Sequence, residues 1–354
     1  MSQPIACPDS PQYNAVHDTT EDQEEPTPRD ANGDNHIETK DALYSGTHMP
    51  CFEFIGQARS LLLEKLKTMT GCEDTIVFPG PQPMSIDRSM FQAFREDTYW
   101  ASQKTDGVRA VMMITTFQGH NVAVLFDRGL NRVFGVSINV VPRPLYQNTL
   151  FDGEIVLDNI QNTWTFLIFD TYITAGYPQF HKPFNDRMNV VWTSLQPYTY
   201  SEKDNLKLEV KAFYPLHECS KESLHDPRFR NDGYIFMPQS KEYVFGHHMT
   251  FFKLKQHHTV DLKVDGDTLL AYNTGTKRHV KAGILHRQER RYDKGTIVEC
   301  TLHEFHAIPS KRIWKVQLVR RDKTKANSVF VLDKTLLNIK ENLQFDDIRN
   351  IVVQ

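Results

Sequence analysis

A chain of 354 residues has room for two domains of the usual ~100–200 residues each. Its 40% apolar content suffices for packed cores, and a net charge of −3 excludes a global basic field of the kind that holds a protein to nucleic acid by bulk charge. The five cysteines (Cys7, Cys51, Cys72, Cys219, Cys300) are scattered and form no C-x-x-C pair, which argues against a zinc site or disulfide framework and for a reducing compartment. No segment reaches the ~18 apolar residues of a membrane span, and the N-terminus lacks the apolar stretch of a signal peptide, so no membrane partner is expected.

The first 41 residues carry ten acids, from Asp9 to Asp41, against Arg29 and Lys40, with almost no periodic apolar positions. This predicts an acidic, disordered arm over residues 1–45 and leaves the remainder mildly basic. Residues 52–67, with Phe54, Ile55, Leu61, Leu62 and Leu66, predict an amphipathic helix. A Pro/Gly/Gln segment follows, Phe78-Pro79-Gly80-Pro81-Gln82-Pro83-Met84-Ser85.

Next comes Lys104-Thr105-Asp106-Gly107-Val108-Arg109, then the apolar run Ala110-Val111-Met112-Met113-Ile114, which reads as a buried strand. Lys104 is thus expected on the loop entering a strand, facing a cleft. A lysine attacks only as the free amine, and a nearby cation or desolvation favours that form; Arg109 supplies a fixed charge at short spacing. Gly107 permits a tight turn and close approach of a ligand.

Strands are predicted over 108–115, 121–126, 132–136, 150–157 and 163–169, the fourth holding Asp152-Gly153-Glu154 and the last running to Phe169-Asp170. A helix is predicted over 184–195, then strands over 206–214, 233–237 and 250–254. These carry Asp232-Gly233 and Lys253-Leu254-Lys255, with Thr259-Val260-Asp261 just beyond. Short strands over 259–264, 268–272, 295–301 and 313–320, around a basic stretch, suggest a small barrel. The last string, Arg320-Arg321-Asp322-Lys323 with Ala326-Asn327, precedes a helical pattern over 333–343.

The fixed order of these strings resembles the six collinear motifs of the covalent nucleotidyltransferases, which include mRNA capping guanylyltransferases and DNA and RNA ligases. The Pro/Gly/Gln segment, Asp232-Gly233 in place of a ligase Glu-Gly, and Lys253-Leu254-Lys255 with Thr259-Val260-Asp261 make the likeness strongest to the capping enzymes. Leu254 stands where that family often has tryptophan, and Gln256-His257-His258 where a proline-bearing stretch is usual.

The resemblance implies an α+β fold: a nucleotidyltransferase domain of antiparallel sheets and flanking helices over 46–262, and an OB-fold barrel over 263–332. Residues 333–354 would form a helical segment packing back on the first domain. It also implies transfer of GMP from GTP through a lysine–GMP intermediate on Lys104 to a 5′-diphosphate RNA. Lys253 and Lys255 would contact the α-phosphate, and Arg320 and Lys323 the β- and γ-phosphates. Arg109, Glu154 and Arg128 would hold the ribose, and Phe169 would stack on guanine, with Thr105 and Asp322 completing the nucleotide-binding set. Asp232 with Asp152 would organise Mg²⁺ or Mn²⁺.

A separate RNA triphosphatase and a separate cap methyltransferase are expected as partners. The setting would be the nucleus for a cellular enzyme, and host cytoplasm, viral factory or virion for a viral one. Two other readings stay open: an ATP-dependent polynucleotide ligase, and a non-catalytic capping-like scaffold. The cluster from Lys277 to Lys294 fits an RNA track or a solvated barrel face. Adjacent histidines, His247-His248 and His257-His258, point to opposite strand faces and cannot chelate one ion together.

Overall fold

The structure is a computed structural model that describes residues 37–72, 77–139, 141–287 and 291–353. Most of the acidic arm therefore lies outside the described residues, as does Arg290 of the basic cluster.

In chain order the elements are β1 (Thr39–Leu43), β2 (Pro50–Phe54), α1 (Gly56–Thr70), β3 (Pro81–Ser85), α2 (Ala93–Glu96), β4 (Tyr99–Thr105), β5 (Val108–Phe117), β6 (His120–Asp127) and β7 (Val133–Val136). There follow β8 (Thr149–Asp158), β9 (Thr163–Thr174), β10 (Tyr177–Pro178), α3 (Phe184–Leu195), β11 (Lys207–Val210), β12 (Tyr214–Pro215), α4 (Lys221–Leu224), β13 (Asn231–Pro238) and β14 (Gly246–Lys255). The chain ends with β15 (Thr259–Asp265), β16 (Thr268–Asn273), β17 (Arg278–Leu285), β18 (Ile297–Glu304), β19 (Ile313–Val319), α5 (Val329–Glu341) and α6 (Phe345–Val353).

Among the described residues these strands form three sheets. The largest runs β1-β2-β7-β6-β5-β8-β9-β10, with β11 also on β9; the second runs β12-β4-β13-β14-β3; β15-β16-β17-β19-β18 closes into a barrel. Nearly all pairs are antiparallel, the parallel ones being β11 on β9, β3 on β14 and β17 on β19. This is the α+β class implied by the resemblance.

The apolar run after Arg109 becomes β5, buried on both faces. Ala110, Met112 and Ile114 pack into one core with Val191 and Leu195 of α3, while Val111 and Met113 pack into another with Leu62 and Leu66 of α1. A strand covered on both sides must be apolar throughout, which is why its sequence does not alternate. The second sheet packs Tyr99, Phe236 and Phe252 against Phe94 of α2 and Phe345 and Ile348 of α6. Trp314 fills the barrel core and donates from its indole nitrogen to the Ala282 carbonyl at 3.2 Å.

Several expectations need correction. The helix predicted from residue 52 begins at Gly56, because 50–54 form β2, paired with β1 and over 52–54 with β7, and Gly56 takes φ +53°, a turn that glycine adopts freely. The arm read as disordered to residue 45 ends in a strand, β1, paired with β2. The basic stretch is partly strand, since β17 runs between β16 and β19. The predicted strand over 206–214 breaks into β11 and β12, which join different sheets.

Candidate active site

Lys104 is not on a loop. It is the penultimate residue of β4 in the second sheet, and the chain crosses at Asp106-Gly107 into β5 of the first. The lysine therefore stands where two sheets part. Gly107 makes the crossing possible: a Cβ there would meet Val156 Cγ1 at 2.4 Å and the Ile155 carbonyl at 2.5 Å. The close approach that demands glycine comes from β8 rather than from a ligand.

Beside β4 runs β13, and beside β13 runs β14, with Ile235 opposite Lys253 and Gly233 opposite Lys255. A bulge in the β13–β4 register falls between Asn231 and Tyr234. It turns the Asp232 carboxylate onto Lys104, whose Nζ lies 2.6 Å from Oδ1; Lys255 Nζ lies 3.3 Å from Oδ2. Lys253 is largely covered, and burial first, then Lys255, Lys104 and Arg128, pushes its ammonium down to about 8.

The opposite wall comes from the first sheet. Arg109 on β5 pairs in register with Glu154 on β8. The Arg109 guanidinium donates to both oxygens of Asp152, at 3.0 and 2.5 Å, and to the Pro81 carbonyl at 2.5 Å. Its central carbon lies over the rings of Phe78, at 5.3 Å, and Phe169, at 5.2 Å. Arg128, at the end of the β6 hairpin, donates to Gln82 Oε1 at 3.0 Å, and burial followed by repulsion from Arg109 lowers its pKa.

The third side is the barrel. Arg320 follows β19 and pairs with Asp322 (2.6 Å), Asp261 (3.1 Å) and Glu299 (3.4 Å); Lys323 pairs with Asp261. The Asp322 bonds, together with Asp261 and Glu299, raise the Arg320 pKa against the opposing effect of burial.

The three sides enclose an open cleft of about 1080 Å³. Lys104, Arg109, Arg128, Glu154, Phe169 and Lys253 line it from the sheets, and Arg320, Asp322 and Lys323 from the barrel. These residues come from segments more than 200 positions apart in the chain, yet face one space. Positive groups outnumber negative ones on the lining, which suits a polyphosphate.

Four expected residues sit differently: Asp232 and Lys255 pair beside Lys104 without lining the cleft, and Asp152 and Thr105 are spent on protein partners. Asp152 is 1% exposed, with both oxygens engaged by Arg109 and one also by the Tyr243 hydroxyl, so it offers the cleft no free carboxylate. Burial pushes its carboxyl pKa up against the pull of Arg109. The Thr105 side chain is buried and spent on Glu154 and Lys211. Asp322 lines the cleft while pairing with Arg320.

Lys211 was not singled out from sequence. It is buried, lines the cleft, donates to Thr105 Oγ1 at 2.8 Å and lies 3.8 Å from Glu154; burial lowers its pKa while Glu154 opposes. A lysine in the apolar setting Leu208-Glu209-Val210-Lys211-Ala212-Phe213 was the available signal.

As a metal ligand, Asp232 stands without a protein cage: among the described residues no group of three or more His, Cys, Asp or Glu could hold an ion. The two Asp232 oxygens pair with Lys104 and Lys255, so a hard cation here would have to displace one lysine and take most of its ligands from phosphate oxygens.

The family model for the mRNA capping enzyme catalytic domain matches residues 45–257, and that for the mRNA capping enzyme C-terminal domain matches residues 236–348. The mRNA-capping enzyme subunit alpha of Schizosaccharomyces pombe is 24% identical over 323 residues, spanning 77% of this chain and 79% of that protein. The mRNA-capping enzyme of Danio rerio is 29% identical over 227 residues, 56% of this chain and 37% of that one. A solved structure of a mycobacterial DNA ligase D complexed with ATP and MES aligns at a TM-score of 0.41 and 14% identity, covering 70% of this chain and 96% of that chain.

Proposed function

The chain belongs to the mRNA capping enzyme family, and from that premise we propose that its cleft transfers GMP from GTP to the 5′-diphosphate end of RNA through Lys104. The observation that carries this reading is the Lys104–Asp232 contact of 2.6 Å, with Lys104 lining a basic cleft. It supplies an amine nucleophile, an adjacent proton acceptor and cations for phosphate in one place.

In the first step the ammonium of Lys104 gives up a proton, with Asp232 the nearest acceptor. Nζ then bonds to the α-phosphorus of GTP and sheds a second proton to solvent, the bond to the bridging β-oxygen breaks, and pyrophosphate leaves with that electron pair. Lys253 and Lys255 face the charge that builds on the α-phosphate oxygens. Arg320 and Lys323 meet the β- and γ-phosphates from the barrel side. Arg109 and Glu154 hold the ribose, Arg128 supports them, and Phe169 carries the base. A magnesium or manganese ion on Asp232 and the phosphates would neutralise charge on the leaving group.

In the second step a terminal oxygen of the RNA β-phosphate attacks the same phosphorus, the Nζ–P bond breaks, and Nζ takes up a proton as it leaves, which restores the Lys104 amine. Pyrophosphate must leave and RNA enter between the steps, so the barrel must move away from the sheets. A triphosphatase and a methyltransferase on other chains would supply the preceding and following reactions. Relatives from yeast and fish support a nuclear setting. The test is to isolate protein labelled from GTP at the α-phosphate and add diphosphate-ended RNA. Transfer of label to a capped RNA end is expected, and label that stays on the protein would contradict the reading.

A further inference from the structure

Tyr243 lies between β13 and β14 and is 7% exposed. Its backbone amide donates to the Phe180 carbonyl at 2.8 Å, and its ring packs beside Tyr172 (5.6 Å) and under the Arg187 guanidinium (5.6 Å). Its position is therefore fixed from several sides. The hydroxyl sits 2.8 Å from the Pro79 carbonyl and 2.8 Å from Asp152 Oδ2.

One of these acceptors, Asp152, holds Arg109 directly, and the other belongs to a segment that also holds Arg109. Asp152 takes two of its guanidinium bonds, and the segment containing Pro79 supplies Pro81, whose carbonyl takes a third. Space there is tight, for a Cβ at Gly80 would stand 2.6 Å from Arg109 Nη2 and 3.0 Å from Asp152 Oδ2. The single phenol proton lies within reach of a buried carboxylate and a buried carbonyl and is shared between them at this junction.

Resting on the nucleotide-transfer reading above, we propose that Tyr243 is a positioning residue: its hydroxyl ties the Pro79 carbonyl to Asp152 and so fixes how the Arg109 guanidinium meets the ribose. Tyr243 does not line the cleft and acts through Arg109. Without the hydroxyl, only Arg109 itself joins the Phe78–Gln82 segment to Asp152, and its guanidinium loses an independent brace.

The test is Tyr243→Phe, assayed by the rate of covalent label formation against GTP concentration. We expect KM for GTP to rise about tenfold with the maximal rate within about twofold, the pattern of lost ground-state and transition-state binding in equal measure. On an Arg109→Lys background the same change should add nothing further to KM, because the two residues act as one unit. An unchanged KM, or an equal rise on both backgrounds, would overturn the proposal. Should Tyr243→Phe fail to fold, a fluorinated tyrosine at 243 keeps ring and hydroxyl while altering donor strength. KM must then shift without a change in thermal midpoint, and an unmoved KM overturns the role. Wild-type protein labelled by ATP and not GTP would remove the GTP reading, yet the Tyr243 comparison would run unchanged with ATP. Wild-type protein labelled by GTP, with variants that match it, would sink the Tyr243 role alone. No label on wild type from either nucleotide overturns both.

Discussion

Lys104 Nζ and Asp232 Oδ1 lie 2.6 Å apart across 128 positions of sequence. The contact depends on the next residue, Gly233, at φ +146°, where a Cβ would fall 1.9 Å from the Leu254 carbonyl. Gly233→Ala should therefore force β13 from β14, lower stability by about 1–3 kcal/mol and abolish label formation. Urea titration followed by the labelling assay checks both, and a variant of wild-type stability and activity would show that the bulge is not needed.

Asp232→Asn keeps the shape and removes the charge that two lysines share. The rate of lysine–GMP formation should fall by ~10²-fold or more, the scale of a lost proton acceptor. Single-turnover labelling at saturating GTP measures it, and a loss confined to KM would instead make Asp232 a binding residue.

The pH dependence has a definite sign. Burial and neighbouring cations hold Lys253 down at about 8. A bound phosphate favours the ammonium, so GTP affinity should fall as pH rises through that value, with proton uptake on binding. Calorimetry in buffers of differing ionisation enthalpy measures the uptake. For folding the sign is opposite. An unfolded lysine titrates near about 10.4, so the unfolded chain binds more protons between the two values, and this residue's unfavourable effect on folding is relieved as pH rises across that window.

Arg320 sits on the barrel and faces the cleft within a cage of Asp261, Glu299 and Asp322. The proposed lysine–GMP intermediate would have lost the β- and γ-phosphates. Arg320→Ala should therefore slow the first step by ~10²-fold, the scale of one charge-stabilising donor, and leave transfer from preformed intermediate to RNA nearly unchanged. Equal slowing of both half-reactions would contradict that division of labour.

Much of this was legible in the sequence because local rules and tertiary demands agreed. The helix over 184–195 appears as α3 with the same bounds. The β5 run was legible because burial on two faces requires unbroken apolar sequence. What escaped was set by partners distant in the chain. β1 pairs with β2 but has four exposed residues and one half-buried one, so its sequence carries little apolar pattern. β17 begins with Arg278 and His279, both exposed. Lys104 read as a loop residue because Asp106-Gly107 resembles a turn, whereas the chain there crosses between sheets.

The site was legible as a set of charged strings in order; the pairing of those charges was not. Asp152 and Glu154 lie two residues apart on β8, yet one is buried under Arg109 and the other lines the cleft. Alternation along a strand predicts that they differ from Gly153 in face but not that they differ from each other. Lys211 and Tyr243 carry no motif, and their importance comes from what they touch.

The most direct measurement is covalent labelling with GTP carrying label at its α-phosphate, in the presence of Mg²⁺, followed by denaturation. Lys104→Ala and an ATP lane run beside the wild type. Acid-labile label from GTP alone, absent in the variant, is the predicted result; label that survives Lys104→Ala, or that comes from ATP instead, would contradict the account.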